Sequence, residues 1–325
     1  MALMPLNEAH ALQIQAGALG RKAGHGFEDK ITDEINHLGY PMAAPAMPAG
    51  HVFQGDPALT LLGYIASREG YGTIVEASAI STGALATSEE GKRWLSVNGV
   101  KVTKCKSDVV LTLTGACGTK RTFGVSIKQC NNAKPTNAQL YFTTAVGFTN
   151  LLRNNGIPVS DRALYALRQF CGDTEFRPQD INPGQVRLVD PRRYFWEEID
   201  PVGRAEWEAN FSENQDAISR LLLQKAYIDD PFVPDYVLHK TKSATGWNAT
   251  EVAIYSIEEL LALSRSYQGF ATRPYSVRKG SYVDPAGVMH LAPRFGVIQM
   301  QRGGQAQHPT QLQFNLEAGY FYKIC

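Results

Sequence analysis

The stretch from Lys106 to Lys134, KSDVVLTLTGACGTKRTFGVSIKQCNNAK, constrains this chain more than any other. It opens on a carboxylate, Asp108, at the head of the alternating apolar run Val109 to Leu113. A polar turn follows, Gly115-Ala116-Cys117-Gly118-Thr119, and a second run returns from Thr122 to Lys128. Two β-branched runs around a glycine-containing turn predict a β-hairpin. Side chains on a strand alternate between faces, so Ser126 and Lys128 share one face while Val125 and Ile127 take the other. Asp108 lies near the start of the first strand and Lys128 near the end of the second. In an antiparallel pair those ends are neighbours, so an acid and an amine meet at one edge of a sheet. The plainer reading of the same residues is a solvated Asp and a solvated Lys at two strand ends.

An acid and an amine so placed suit metal-assisted hydrolysis of a phosphodiester. The carboxylate holds Mg²⁺, the metal polarises the phosphate and acidifies a bound water, and the cation places or stabilises charge. The stretch resembles the core of the PD-(D/E)xK nuclease superfamily, which includes most type II restriction endonucleases. Ser107-Asp108 matches the first half of that pattern and Ser126-Ile127-Lys128 the second. Ser107 stands where the family often has proline. Ser126 stands where it usually has Glu or Asp, so one metal ligand is missing from its usual strand position.

The missing acid has two candidates. Phe27, Ile31, Ile35 and Leu38 follow one helical face, with Glu28, Asp29, Asp33 and Glu34 at other positions. Acids early in a helix complement its dipole, which would make Glu28 a surface residue. The Gly26-Phe27-Glu28 sequence also resembles the N-terminal helix of restriction endonucleases, and that resemblance implies that Glu28 supplies the carboxylate Ser126 does not. Glu76, in the short strand candidate Thr73 to Glu76, is the weaker alternative.

Two segments are rich in amides, and an amide can bond an adenine edge bidentately. The loop after the second strand offers Gln129, Asn131, Asn132 and Lys134; it reads equally as an ordinary polar turn. Near the C-terminus Gln299, Gln301 and Arg302, then Gln311 and Gln313, belong to apolar–amide alternations that predict strand–loop–strand. This piece resembles a Gln-Arg-Lys-Gly-Gly, loop, Gln-Leu-Gln-Phe pattern of several restriction endonucleases, although no Lys separates Arg302 from Gly303. A third segment, Arg187, Arg192 and Arg193 with Tyr194, Phe195 and Trp196, suits phosphate contact plus stacking or, equally, a core-anchoring helix start.

The remaining features set bounds. A chain of 325 residues with 44% apolar and 19% charged residues is an ordinary globular composition, and its net charge of +1 gives no global sign of nucleic acid. Five cysteines without CxxC spacing suggest neither zinc framework nor disulfide scaffold. No run of about 18 apolar residues predicts a membrane span, and the first residues lack the pattern of a secretory signal. A reduced, cytoplasmic protein is the expectation. P-loop, dinucleotide-binding and zinc-protease motifs are absent from the sequence.

Helices are expected over 8–20, 59–69, 83–95, 138–155, 160–171 and 203–227, and another from Ser256, where Ser256 and Glu259 fit a capping box. Asn98-Gly99 predicts a type I′ hairpin. Tyr236 to Lys240 reads as a strand. Residues 40–58 hold four prolines and read as a loop or arm.

Pieces 24–37, 106–134 and 295–316 carry the resemblance in that order. It implies an α/β, restriction endonuclease-like core: a mixed central β-sheet with helices on both faces. The chain is expected to be a single nuclease domain over 1–325, with a catalytic core near 20–170, a helical or irregular segment over 172–280 and a C-terminal hairpin over 290–325. The implied activity is Mg²⁺-dependent, sequence-specific cleavage of double-stranded DNA by a homodimer, whose two-fold symmetry would match a palindromic site. A repair or junction nuclease of the same superfamily, and a DNA-binding protein with a degenerate nuclease core, stay open.

Overall fold

The structure is a computed structural model and describes residues 25–82, 95–184, 186–225, 229–278, 282–303 and 310–321. The helix expected over 8–20, all but the last residue of the helix expected over 83–95, the end of the helix expected over 203–227 and the tip of the C-terminal hairpin at 304–309 lie outside the described residues. In chain order the principal elements begin with α1 (25–37), β1 (Met42–Ala43), β2 (Val52–Gly55), α2 (Pro57–Glu69) and β3 (Thr73–Ser81). There follow β4 (Ser96–Val97), β5 (Val100–Lys101), β6 (Val109–Gly115), β7 (Lys120–Gln129), β8 (Ala138–Thr143), α3 (Ala145–Arg153) and α4 (Asp161–Cys171). The chain continues with α5 (Pro201–Glu213), α6 (Gln215–Gln224), β9 (Pro234–Lys240), β10 (Thr250–Ser256) and α7 (Ile257–Arg265). It closes with β11 (Phe270–Tyr275), β12 (His290–Phe295), β13 (Ile298–Arg302) and β14 (Leu312–Leu316). Among the described residues no helix is long and apolar enough to cross a membrane.

The chain forms two compact units. One holds the described residues up to Ala138 and Leu223–Leu260; the other holds Gln139–Leu222 and Leu261–Leu316. The boundary near 138 cuts the stretch 20–170, and the first unit takes two strands, β9 and β10, from the segment 172–280.

The first unit is a mixed α/β layer built on a seven-stranded sheet in the order β1-β3-β6-β7-β9-β10-β2. Its pairs are antiparallel except β7 with β9, which are parallel. Alternation explains the packing. Val109, Leu111 and Leu113 of β6 join Phe123, Val125 and Ile127 of β7 in one apolar cluster, covered by Phe27, Ile31 and Ile35 of α1 and Leu61, Leu62 and Ile65 of α2. Burying each such side chain contributes about 1.5–3 kcal/mol. Helix α2 is stopped at both ends: Asp56 accepts from Ala58 N and Leu59 N, and Gly70 closes it in the left-handed region. Val110, on the opposite face of β6, packs with Leu95, Val97 and Val102, so the two-stranded β4–β5 ribbon covers the sheet there. That ribbon turns at Asn98 and Gly99, both at positive φ, as a type I′ turn requires. The expected capping box is present: Ser256 N donates to Glu259 Oε2 at 2.8 Å and Glu259 N to Ser256 Oγ at 3.2 Å.

The second unit carries a five-stranded sheet, β11-β12-β13-β14-β8, whose core is aromatic. Phe211 of α5 stacks on Phe295 of β12 at 4.5 Å, and Phe148 of α3 meets Phe314 of β14 at 4.6 Å. Two expectations are corrected here. Residues 138–143 are a strand rather than the first turns of a helix, and α3 starts only after Thr144, whose hydroxyl caps Gly147 N. The helix expected over 203–227 is broken at Asn214, which leaves helical ψ, while the buried Gln215 amide is drawn to Ser264 O and Gly269 N.

Candidate active site

The site forms where β7 outruns β6. In the register Val109 faces Val125, so β6 has ended when β7 reaches Ile127. The Ile127 backbone groups on that side have no strand to pair with, and buried backbone groups need partners. Side chains supply them. Ile127 N donates to Asp108 Oδ2 at 2.6 Å, and Lys128 Nζ donates to Ile127 O at 3.1 Å. The same carboxylate oxygen takes the Ser126 hydroxyl at 3.3 Å and lies 3.4 Å from Lys128 Nζ. The Lys128 and Asp108 side chains are 19% and 23% exposed, so the pair is largely withdrawn from water yet open to a ligand.

The residues before Asp108 are fixed from several directions. Asp108 N donates to Val125 O at 2.8 Å and Thr82 N to Asp108 O at 2.9 Å. Ser107, fully buried, donates to Phe232 O at 2.6 Å, a bond that proline at this position could not make. Gly124 leaves room for this crossing, because a Cβ there would collide with Ser107 Oγ and the Val233 carbonyl.

Helix α1 brings Glu28 to the same edge. The helix is seated by its apolar face and by Asn36, which donates to Ala79 O and accepts from Ala79 N, both at 2.8 Å. Glu28 is 6% exposed and bonded to His25 Nδ1 at 3.2 Å. Burial, reinforced by the charge of Asp108 and partly offset by Lys128, pushes its carboxyl up to about 8. Glu76 lies elsewhere. It is exposed at a bulge of β3 and pairs with Thr114, five residues along the strand from Ser81, which faces Val109; that is about 17 Å at strand rise.

Two further groups belong to this neighbourhood and carry no motif in the sequence. His239 of β9 stands opposite Lys128 and is buried; burial and then Lys128 lower its imidazole to about 4, so it is neutral at ordinary pH. Lys106 is half-buried two residues before Asp108. Burial and Lys128 bring its amine down to about 7 against the pull of Asp108 and Asp230. Tertiary pairing of β7 with β9 makes the His239 placement, and local spacing could not reveal it.

Among the described residues no three His, Cys, Asp or Glu side chains gather into a metal-holding group. What the site offers is oxygen: two carboxylates that sense each other's charge, Asp108 and Glu28, and the Ser126 hydroxyl. Such a donor set suits Mg²⁺, which takes one or two carboxylates and keeps several waters.

The loop after β7 is exposed over 131–137. Asn131 Oδ1 accepts from Lys240 Nζ at 3.2 Å, Asn132 O accepts from Ser243 N at 2.8 Å, and Lys134 O accepts from Cys130 Sγ. Gln129 ends β7 half-buried. In the second unit β13 and β14 pair as expected, with Gln299 opposite Asn315 and Gln301 opposite Gln313. Gln311 precedes β14 and is half-buried. Arg302 turns to a carboxylate: its guanidinium is 3.7 Å from Asp190, which also engages Arg192 and Arg193. Arg187 bonds Glu198 at 2.8 Å, so that basic–aromatic segment is internally paired.

No protein-family model matches the chain, and no curated protein matches its sequence. A solved structure of the restriction endonuclease MspI in complex with its cognate DNA is similar, with a TM-score of 0.40 and 12% identity, over 74% of this chain and 71% of that one.

Proposed function

We propose that this chain is a Mg²⁺-dependent endonuclease that cuts double-stranded DNA at specific sites, in the manner of type II restriction enzymes. The observation that carries this reading is the convergence of Lys128, Ser126 and the Ile127 amide on one oxygen of Asp108, with the buried Glu28 beside them. Asp108, Glu28 and Ser126 would hold Mg²⁺, which when bound polarises the scissile phosphate and acidifies a water. Lys128, held between Asp108 and the Ile127 carbonyl, sets its ammonium where charge builds on the phosphate oxygens. Glu28 would release its proton to solvent on holding the cation. A homodimer would present two such centres to a palindromic site. Base edges are read by Gln129, Asn131, Asn132 and Lys134 on one loop and by Gln299, Gln301, Gln311 and Gln313 on the other segment, with Arg302 as an adjoining cation.

The test is digestion of a plasmid of known sequence in Mg²⁺, with the ends mapped. Discrete bands with common end sequences support the proposal. Cutting that follows branches or lesions makes the chain a repair or junction nuclease, and tight binding without cutting in any divalent metal makes it a non-catalytic DNA-binding protein.

A further inference from the structure

Strands β7 and β9 run parallel, with Gln129 opposite Lys240, so both leave the sheet at the edge that holds Asp108 and Lys128. The two exits are tied together. Cys130 N donates to Lys240 O at 2.8 Å, Lys240 Nζ to Asn131 Oδ1 at 3.2 Å, and Ser243 N to Asn132 O at 2.8 Å. Helix α1 closes on them from the side of Glu28. The Lys240 ammonium lies 5.7 Å from the Phe27 ring centre and the Lys30 ammonium 4.3 Å from that of Trp247. Glu251 anchors the root of the β9–β10 segment by accepting from Thr241 at 2.5 Å and from Lys242 at 2.8 Å. Beyond that root Ser243 to Gly246 are exposed and small, Lys30 is exposed, and the Lys242 side chain remains 42% exposed. Asp29 and Asp33 are the exposed acids of α1 on either side of Lys30.

We propose that Lys240 to Trp247, with Lys30, grips the sugar–phosphate backbone of double-stranded DNA beside the bond that is cut; this rests on the nuclease reading above. Ammonium groups neutralise phosphates and release counterions, and hydroxyls and backbone N–H groups of small exposed residues donate to phosphate oxygens. An ammonium resting over an aromatic ring keeps its stem packed and its charge available at the surface. The amide loop then reads while the segment bonded to it positions.

The test compares wild-type protein with Lys240→Gln/Lys242→Gln and with Thr245→Glu, which adds a negative charge at an exposed position and leaves the Lys240–Asn131 bond in place. Binding of a random-sequence duplex is followed by fluorescence anisotropy without divalent metal. Both variants should bind on the order of tenfold more weakly at about 100 mM salt, and the double variant's slope of log affinity against log salt should be shallower by about 1.8, or 0.9 for each phosphate. Wild-type affinity and slope in both variants overturn the inference and leave the nuclease reading standing. Failure of the wild-type protein to bind duplex DNA overturns that reading and this inference with it. Should the double variant lose thermal stability, the Thr245→Glu result decides.

Discussion

Lys128 Nζ lies 3.4 Å from Asp108 Oδ2 although the two residues are 20 apart in sequence, because β7 extends past the start of β6 and carries the amine back over the carboxylate. The pairing is a consequence of unequal strand lengths. Asp108 completes the hydrogen bonding of an unpaired strand edge, and Lys128 does the same from the other side of that residue. One pair of side chains therefore serves both the end of the sheet and the proposed chemistry.

If that pair acts on the scissile phosphate, Asp108→Asn and Lys128→Ala should each lower Mg²⁺-dependent cleavage by at least about a hundredfold, the scale of losing one electrostatic stabiliser. Duplex affinity should change little. Asp108→Asn keeps an oxygen for the Ile127 amide, so its Tm should stay near wild type. Cleavage at near wild-type rate by either variant sinks the assignment.

Glu28 should give a pH signature. Its carboxyl is pushed up to about 8 by burial and the Asp108 charge, well above its range in an unfolded chain. A raised folded pKa means the native state holds the proton more tightly. The stability this contributes is full below about 4.3, the unfolded value, and is lost as pH rises through about 8. Metal-free protein should therefore lose Tm as pH rises from about 4.3 to about 8, and Glu28→Gln, which cannot ionise, should lose less. Mg²⁺ must displace that proton, so its affinity should rise with pH over the same window. Glu28→Gln should abolish cleavage and Glu76→Gln leave it unchanged. An unaltered Tm–pH profile in Glu28→Gln argues against the buried placement of this acid.

Gly124 carries a steric prediction. A Cβ at 124 meets the Ser107 hydroxyl and the Val233 carbonyl, neither of which is the loose end of a long side chain. Gly124→Ala should destabilise by about 1–3 kcal/mol, as overpacking does, and disturb Asp108 through Ser107. Urea unfolding of Gly124→Ala beside Gly118→Ala separates crowding from backbone strain. Gly118 has positive φ but open space, so its cost comes from conformation alone.

Strong local pattern made part of this architecture legible in the sequence. The β6–β7 hairpin, the Asn98-Gly99 turn, the α1 face and the Ser256–Glu259 cap each depend on residues a few positions apart. What escaped depends on distant partners. Strand β10, whose run Val252 to Tyr255 is buried and which pairs with β9 along one edge and β2 along the other, lacks the alternation of a half-exposed strand. Residues 138–143 carry apolar side chains that also fit a helical face, and only their place in the second sheet decides otherwise. His239 became part of the site's surroundings through a parallel pairing across 111 residues of chain. Arg302 adjoins the amides in sequence, and its guanidinium also lies 3.7 Å from Asp190, a partner far upstream that local spacing does not reveal.

That last placement reshapes the specificity prediction. Arg302 is 11% exposed at its side chain, and burial and Arg193 draw its guanidinium down to about 10. Arg302→Ala should lower Tm, because Asp190 loses one of its three cations, and should affect cognate and one-base-variant sites alike. The amides are placed differently. Ile298, Met300, Leu312 and Phe314 fill the core from one side of β13 and β14, leaving Gln299, Gln301, Gln313 and Asn315 together on the other. Gln313 Nε2 already donates to Asn315 Oδ1 at 2.9 Å, which fixes the orientation of one amide before any ligand arrives. Adenine recognition needs a donor and an acceptor at set spacing, and a pre-oriented amide supplies both. Gln301→Ala or Gln313→Ala should therefore cost about 1–3 kcal/mol of discrimination between the preferred site and a one-base variant, with Tm nearly unchanged. Affinities for the two duplexes, measured at one salt concentration, decide the matter. Equal losses on both would make these amides backbone contacts, and no loss on either would leave the strand pair without a part in recognition.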